Sequence, residues 1–143
     1  MPKAKVLVAG TFDFLHPGHL DFLSQAKRRG DFLVVVVARD RNAKAFKGKK
    51  PYLDEKDRLA LVSSLRTVDK AMLGSKGDVF AVVRREKPDV IVLGYDQWPR
   101  ETELRQQLLK MGLAGTKVFR ARPFFEERHK SSKIRRHLEK VWR

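Results

Sequence analysis

The sequence predicts an α/β fold built on a parallel sheet, and three observations carry that prediction. Short apolar runs alternate with stretches of helical periodicity from one end of the chain to the other. The runs are apolar on consecutive residues rather than on alternate ones, most clearly in Phe32 to Ala38, which holds four valines in a row. Strands buried on both faces read this way, and parallel sheets bury both faces. Glycine and proline fall between the runs, as at Pro17, Gly30, Pro88, Gly94 and Gly112, where they punctuate elements rather than interrupt them.

Taken in order, Lys5 to Ala9 is the first strand. Pro17 to about Arg29 is a helix with Leu20, Leu23 and Ala26 or Lys27 at helical spacing. Proline suits a first helical position, whose N–H has no partner within the helix, and Gly30 suits the stop. Phe32 to Ala38 is the second strand, and Arg39 to Lys50 is polar, basic and loop-like. A helix over Asp54 to Leu65 places Leu59, Leu61, Val62 and Leu65 inward. Asp69 to Leu73 is a short strand, Asp78 to Glu86 a helix, and Val90 to Leu93 a buried strand stopped by Gly94. Glu101 to Met111 is a helix closed by Gly112, and Lys117 to Arg120 is an edge strand. Ser132 to Trp142 is a last helix with Ile134, Leu138 and Val141 on one face. The order is that of a Rossmann-like five-stranded parallel sheet with helices on both faces. Ligands on such sheets bind at the carboxyl ends of the strands, near the point where strand order reverses.

A chain of 143 residues is expected to form a single domain spanning 1–143, with a core of its own. It has no cysteine, which excludes disulfides and thiolate metal sites and fits a reducing cytoplasm, the expected location. No apolar run approaches the roughly 20 residues of a membrane-spanning helix, and a start that leads directly into a strand predicts no signal peptide. Lys and Arg number 32 against 17 Asp and Glu, a formal charge of +15. Such an excess concentrates anions around the protein. Nucleic acid, acidic membrane surfaces and small phosphorylated substrates all satisfy it.

The first strand-to-helix junction narrows the choice. It carries neither the P-loop pattern nor the G-x-G-x-x-G of dinucleotide folds. It reads Gly10-Thr11-Phe12-Asp13-Phe14-Leu15-His16-Pro17-Gly18-His19. Gly10 lets the backbone turn and approach a ligand. His16 and His19, three apart at a helix start, share a face, and Gly18 between them leaves room for a bulky anion. Helix N–H groups and the helix dipole favour negative charge there. The pattern is that of a triphosphate cradle. Other readings compete with it: zinc binding, for which no third ligand is evident and no protein metal site is expected; simple helix capping; and a serine-type site, for which no nucleophile motif is present.

A strand ending in Gly10-Thr11-Phe12-Asp13, then His16-x-Gly18-His19 opening a helix, resembles the cytidylyltransferase-like nucleotidyltransferases. The resemblance extends over nearly the whole chain in the order of motifs and elements. It implies a reaction in which an acceptor phosphate attacks the α-phosphate of a nucleoside triphosphate in line. Pyrophosphate leaves with a divalent cation, Mg2+, that arrives with the nucleotide. It implies nucleotide binding by Gly10, Thr11, Phe12, Asp13, His16, Gly18 and His19, with His16 and His19 catalytic. It also implies a lysine reaching the reacting phosphates, Lys44 ahead of Lys47, with Asp13 and Arg58 facing the acceptor. For Arg58 a surface ion pair stands as the alternative. Gly94, Asp96 and Gln97 resemble the family's segment for base and ribose. Asp96 would hold ribose hydroxyls and Gln97 read a base edge, unless the segment is an ordinary strand-end turn. Ser131 and Ser132 match a phosphate-binding hydroxyl pair, or cap the last helix. Family members are commonly homodimers, so a dimer is expected.

The acceptor is read from a departure. The R-T-E-G-I segment of glycerol-3-phosphate cytidylyltransferases is missing before Ser131, and Arg122 would take over its arginine. Leu93 to Gln97, Lys47 to Pro51 and Val68 to Ala71 resemble archaeal FAD synthases, which join the AMP of ATP to FMN. Phe124-Phe125 would then pack on the flavin ring or in the core. A CTP-dependent alcohol-phosphate cytidylyltransferase is the alternative within the class, and a basic nucleic-acid binder the alternative outside it. A binder has no use for the two linked motifs, so neither nucleic acid nor membrane is an expected partner.

Overall fold

The structure is a computed structural model that describes residues 4–124, 136–138 and 140. In chain order its elements are β1 (Lys5–Gly10), α1 (Pro17–Lys27), β2 (Phe32–Val37), α2 (Asp40–Lys47), α3 (Glu55–Ser63), β3 (Lys70–Leu73), α4 (Ala81–Glu86), β4 (Val90–Leu93), α5 (Glu101–Lys110) and β5 (Lys117–Arg120). Every pairing in the sheet is parallel. The strand order is β3-β2-β1-β4-β5, so the order reverses between β1 and β4.

Successive residues on a strand point to opposite faces. Val6, Val8, Leu33, Val35 and Val37 therefore face one way, where Leu23 and Ala26 of α1 and Val62 of α3 cover them. Leu7, Val36, Ile91 and Leu93 face the other way, against Val82 and Val83 of α4 and Leu104 and Leu108 of α5. Two covered faces demand apolar residues at every position, which is why the strands lack alternation. The predicted five-stranded α/β architecture is the one observed.

Four local expectations are corrected. The loop expected over Arg39 to Lys50 contains α2. Asp40 lies in its first turn and Lys44 and Lys47 in its last, the charge order that suits a helix dipole. Gly48 closes it in the left-handed conformation at φ 74°. Only Ala43 of this helix is buried, so it shows no apolar stripe to read. Helix α4 starts at Ala81, because Asp78 ties its carboxylate to the Phe80 N–H and makes a turn of residues 78–80. Of the residues expected inward around α3, Val62 is buried and Leu59 and Leu65 pack against the same core, while Leu61 is exposed and Arg58, one turn before Val62, is buried. Leu138 is exposed as well; Ile134 and Val141 lie outside the described residues.

Burial at the sheet surface sets the stability. Leu23→Ala is expected to cost about 2–5 kcal/mol in urea unfolding, because the site is sealed between α1 and the sheet. Leu109→Ala, at a position 67% exposed, is expected to stay within about 0.5 kcal/mol.

Candidate active site

The carboxyl end of β1 leads into a turn that two residues hold in an uncommon conformation. Phe12 and Phe14 both have φ 54°, the left-handed region that bulky side chains avoid. They flank Asp13, and contacts on every side hold the turn. The Phe12 ring is buried and lies where a Cβ on Gly10 would sit, 2.8 Å from its Cε2. Phe14 stacks on Tyr52 with centroids 5.2 Å apart. The Asp13 carboxylate accepts from the Tyr52 N–H at 2.8 Å and the Leu53 N–H at 3.1 Å. The Thr11 carbonyl accepts from Arg58 at 2.8 Å. Strain of this kind persists only where the surroundings over-determine it.

The turn delivers His16 and His19 to the start of α1. The two rings stack at 3.9 Å, and Phe12 meets His19 edge-on at 5.6 Å. His16 Nδ1 accepts from the Gly18 N–H at 3.1 Å, and His19 Nδ1 accepts from the His16 N–H at 3.2 Å. The pair forms a reciprocal capping box built from imidazoles. Helix capping, one of the two readings of this pair, uses only Nδ1 of each ring, so the two readings are compatible. With Nδ1 accepting, a neutral ring carries its proton on Nε2, on the far side of the ring from the backbone. No acidic residue lies in the first turn of α1 to offset the positive end of its dipole.

Burial, then the charges of His16 and Lys47, lower the His19 pKa from 6.5 to about 4, against a smaller opposing effect of Asp13. His19 is therefore neutral at pH 7, with its ring proton on Nε2. Besides His16, a cation felt at His19 is Lys47, at the end of α2. Lys44 lies one turn earlier on the same helix, and both are exposed.

Several expected roles change. Gly18 leaves no gap for an anion, because a Cβ there would stand 2.8 Å from His16 Cε1; the missing side chain makes room for the imidazole. Gly10 likewise makes room for Phe12 rather than for a ligand. Each Asp13 oxygen accepts from the 52–53 backbone, so Asp13 holds the turn.

Arg58 is 0% exposed and reaches neither an acceptor nor the surface. It donates to Leu53 O at 3.0 Å, Thr11 O at 2.8 Å and Asp40 Oδ1 at 2.7 Å. A buried guanidinium requires such partners. Its spacing of four residues from Val62 was the signal available in the sequence.

Gln97 is not placed to read a base edge. Its Oε1 accepts from the Gly94 N–H at 2.9 Å and its Nε2 donates to Ala9 O at 2.8 Å, which braces β4 to β1 across the reversal of strand order. Asp96 is exposed beside it. Arg120, which sequence reasoning missed, donates to the carbonyls of Gly94, Gln97 and Pro99 at 2.7, 2.8 and 3.0 Å and pairs with Glu101. An edge-strand arginine gives no such sign in one dimension.

The backbone of Arg122 is clamped by Gln25, which donates to its carbonyl at 3.0 Å and accepts from its N–H at 2.9 Å. Its side chain is exposed. The chain then passes Gly18, with Phe124 O 3.8 Å from the Cβ position of that glycine. Ser131, Ser132 and Phe125 lie outside the described residues. Among the described residues no group of three or more His, Asp or Glu comes together to hold a metal ion, and no helix is long and apolar enough to cross a membrane.

Comparison with known proteins fits this geometry. The family model described as cytidylyltransferase-like matches residues 7–137. The FAD synthase of Thermoplasma volcanium is 44% identical over 134 residues, which cover 94% of this chain and 93% of that one. The FAD synthase of Picrophilus torridus is 40% identical over 138 residues, covering 96% and 98%. A crystal structure described as the lipopolysaccharide core biosynthesis protein from Thermoplasma volcanium superposes with a TM-score of 0.83 at 46% identity, covering 86% of this chain and 99% of that one.

Two measurements check these assignments. The unfolded chain takes up the His19 proton near pH 6.5 and the folded chain only near 4, so this group withdraws stability as pH falls through that window, by about 3 kcal/mol in full. His19→Gln keeps an acceptor for the cap and does not titrate. Urea unfolding at pH 7 and pH 4.5 is expected to show a smaller acid loss in the variant than in the parent. Arg58→Lys is expected to destabilise by about 3–5 kcal/mol, because it leaves Asp40 and two carbonyls short of donors. A raised acceptor KM with unchanged stability would restore the substrate-facing role.

Proposed function

This chain belongs to the cytidylyltransferase-like family, and from that premise we propose that it is an FAD synthase, an FMN adenylyltransferase. The observation that carries the reaction type is the imidazole pair at the start of α1, capped through both Nδ1 atoms. The choice of FMN and ATP is supported by the named activity of relatives matched over almost their full length.

In this reading an FMN phosphate oxygen attacks the α-phosphorus of ATP. The new P–O bond forms as the bond to the β-phosphate oxygen breaks, and its electron pair leaves with pyrophosphate. His16 and His19 donate Nε2–H to phosphate oxygens as charge develops on them, next to the positive end of α1. With its pKa near 4, His19 supplies a hydrogen bond rather than a proton. Lys47 and Lys44 approach the reacting phosphates from α2, while Asp96, Thr11 and the Ser131–Ser132 pair complete the nucleotide contacts. Arg122 is assigned to the acceptor phosphate. The divalent cation enters as the ATP complex, as substrate. Positioning and fixed charge accelerate a transfer of this kind without a covalent intermediate. The chain is proposed to act as one domain over residues 1–143 and as a cytoplasmic homodimer.

The test is incubation with Mg2+, ATP or CTP, and FMN or glycerol 3-phosphate, following pyrophosphate and product. FAD from FMN and ATP is the expected result; product only from CTP and an alcohol phosphate would overturn the acceptor assignment. Salt-dependent retention of DNA without pyrophosphate release would favour a nucleic-acid binder instead. His16→Ala and His19→Ala are each expected to lower kcat by about a hundredfold or more while the fold persists, as read by circular dichroism.

A further inference from the structure

Phe46 and Trp98 are 62% and 54% exposed, yet their ring centroids lie 5.6 Å apart. Phe80 lies 6.4 Å from Trp98. The three rings come from the segments that follow β2, β4 and β3, so the sheet topology gathers them at its carboxyl edge. A single exposed aromatic residue is ordinary, but a cluster drawn from separate segments at a ligand-binding edge is not.

Trp98 is held rather than merely left in water. Arg120 donates to the carbonyls on either side of it, Gln97 O and Pro99 O. The preceding Gln97 side chain reaches Ala9 O, at the end of the strand that runs into the histidine turn. Phe46 directly precedes Lys47, a cation felt at His19. Both rings are therefore one residue away from groups tied to the phosphate cradle.

We infer that Phe46 and Trp98 form the stacking surface for the planar three-ring isoalloxazine of the acceptor, with its phosphate end directed to Lys47 and the histidines. This rests on the acceptor being FMN. Adenine is planar too, but its recognition calls for groups that read a base edge. The amide beside Trp98 is committed to backbone on both of its atoms. The surface offers aromatic area, which suits the larger ring system.

The chain has two tryptophans, Trp98 and Trp142, so Trp142→Phe leaves Trp98 as the sole indole reporter. FMN is expected to quench its emission saturably, after correction for absorbance, and ATP is not. In the otherwise unaltered enzyme, Trp98→Ala and Phe46→Ala are each expected to raise KM for FMN about tenfold. KM for ATP and kcat are expected to stay within about twofold, and Trp98→Phe to restore most of the loss.

Quenching by ATP, or a raised KM for ATP alone, would overturn the inference in favour of adenine. An unchanged KM for FMN with a loss of dimer in sedimentation would assign the patch to contact between copies, and it too would overturn the inference. FAD formation with no response of Trp98 to FMN would sink this subsite while leaving the proposed activity standing. FMN quenching in an enzyme that makes no FAD would do the reverse.

Discussion

A guanidinium withdrawn from water must have its N–H groups answered by the protein, because an uncompensated buried charge costs several kcal/mol. Arg58 meets that requirement by joining three segments: the turn after β1 through Thr11, the start of α2 through Asp40, and the entry to α3 through Leu53. Glu55 reinforces the same junction by accepting from Arg39 at 2.8 Å and from the Asp40 N–H at 3.0 Å, which holds its carboxyl below the usual range. The histidine turn and the helix that carries the lysines are thereby tied together through Arg58, with Asp13 and Glu55 bonding the same segments.

The geometry of the candidate site inherits this constraint. Two phenylalanines with positive φ would relax if the turn were free; Asp13, Phe12 and the Arg58 contact to Thr11 prevent it. What the turn delivers is economical. Each imidazole spends one nitrogen on capping α1, and that bond leaves the neutral ring protonated on the other. Burial then keeps His19 neutral at pH 7. In the proposed reaction the capping and phosphate-binding roles fall to the same two side chains, and capping occupies only one nitrogen of each.

The residues whose expected roles changed have something in common. Asp13, Arg58 and Gln97 are polar, lie at the carboxyl edge of the sheet and match positions assigned to substrate by resemblance. Each proves to satisfy backbone groups of the protein. The edge of an α/β sheet is made of loops whose N–H and C=O groups lack sheet partners. Side chains must bond them before any can be spent on a ligand. Sequence cannot tell these two uses apart, because both select the same residue types at the same places. Arg120 was invisible for the same reason: its three carbonyl partners are 21 to 26 residues away in the chain.

The sequence by itself determined the parallel sheet, since strands covered on both faces have to be apolar at every position. It also determined the histidine turn, since a glycine, two histidines three apart and a helix start are local features fixed by short-range geometry. Only the tertiary structure decided that Arg58 is an internal tie and that Gln97 braces β1 to β4. It alone revealed that 40–47 is helical, and that Phe46 and Trp98 meet in the open. Those outcomes depend on which distant backbone groups arrive unpaired at one edge of the sheet, and packing sets that rather than spacing along the chain.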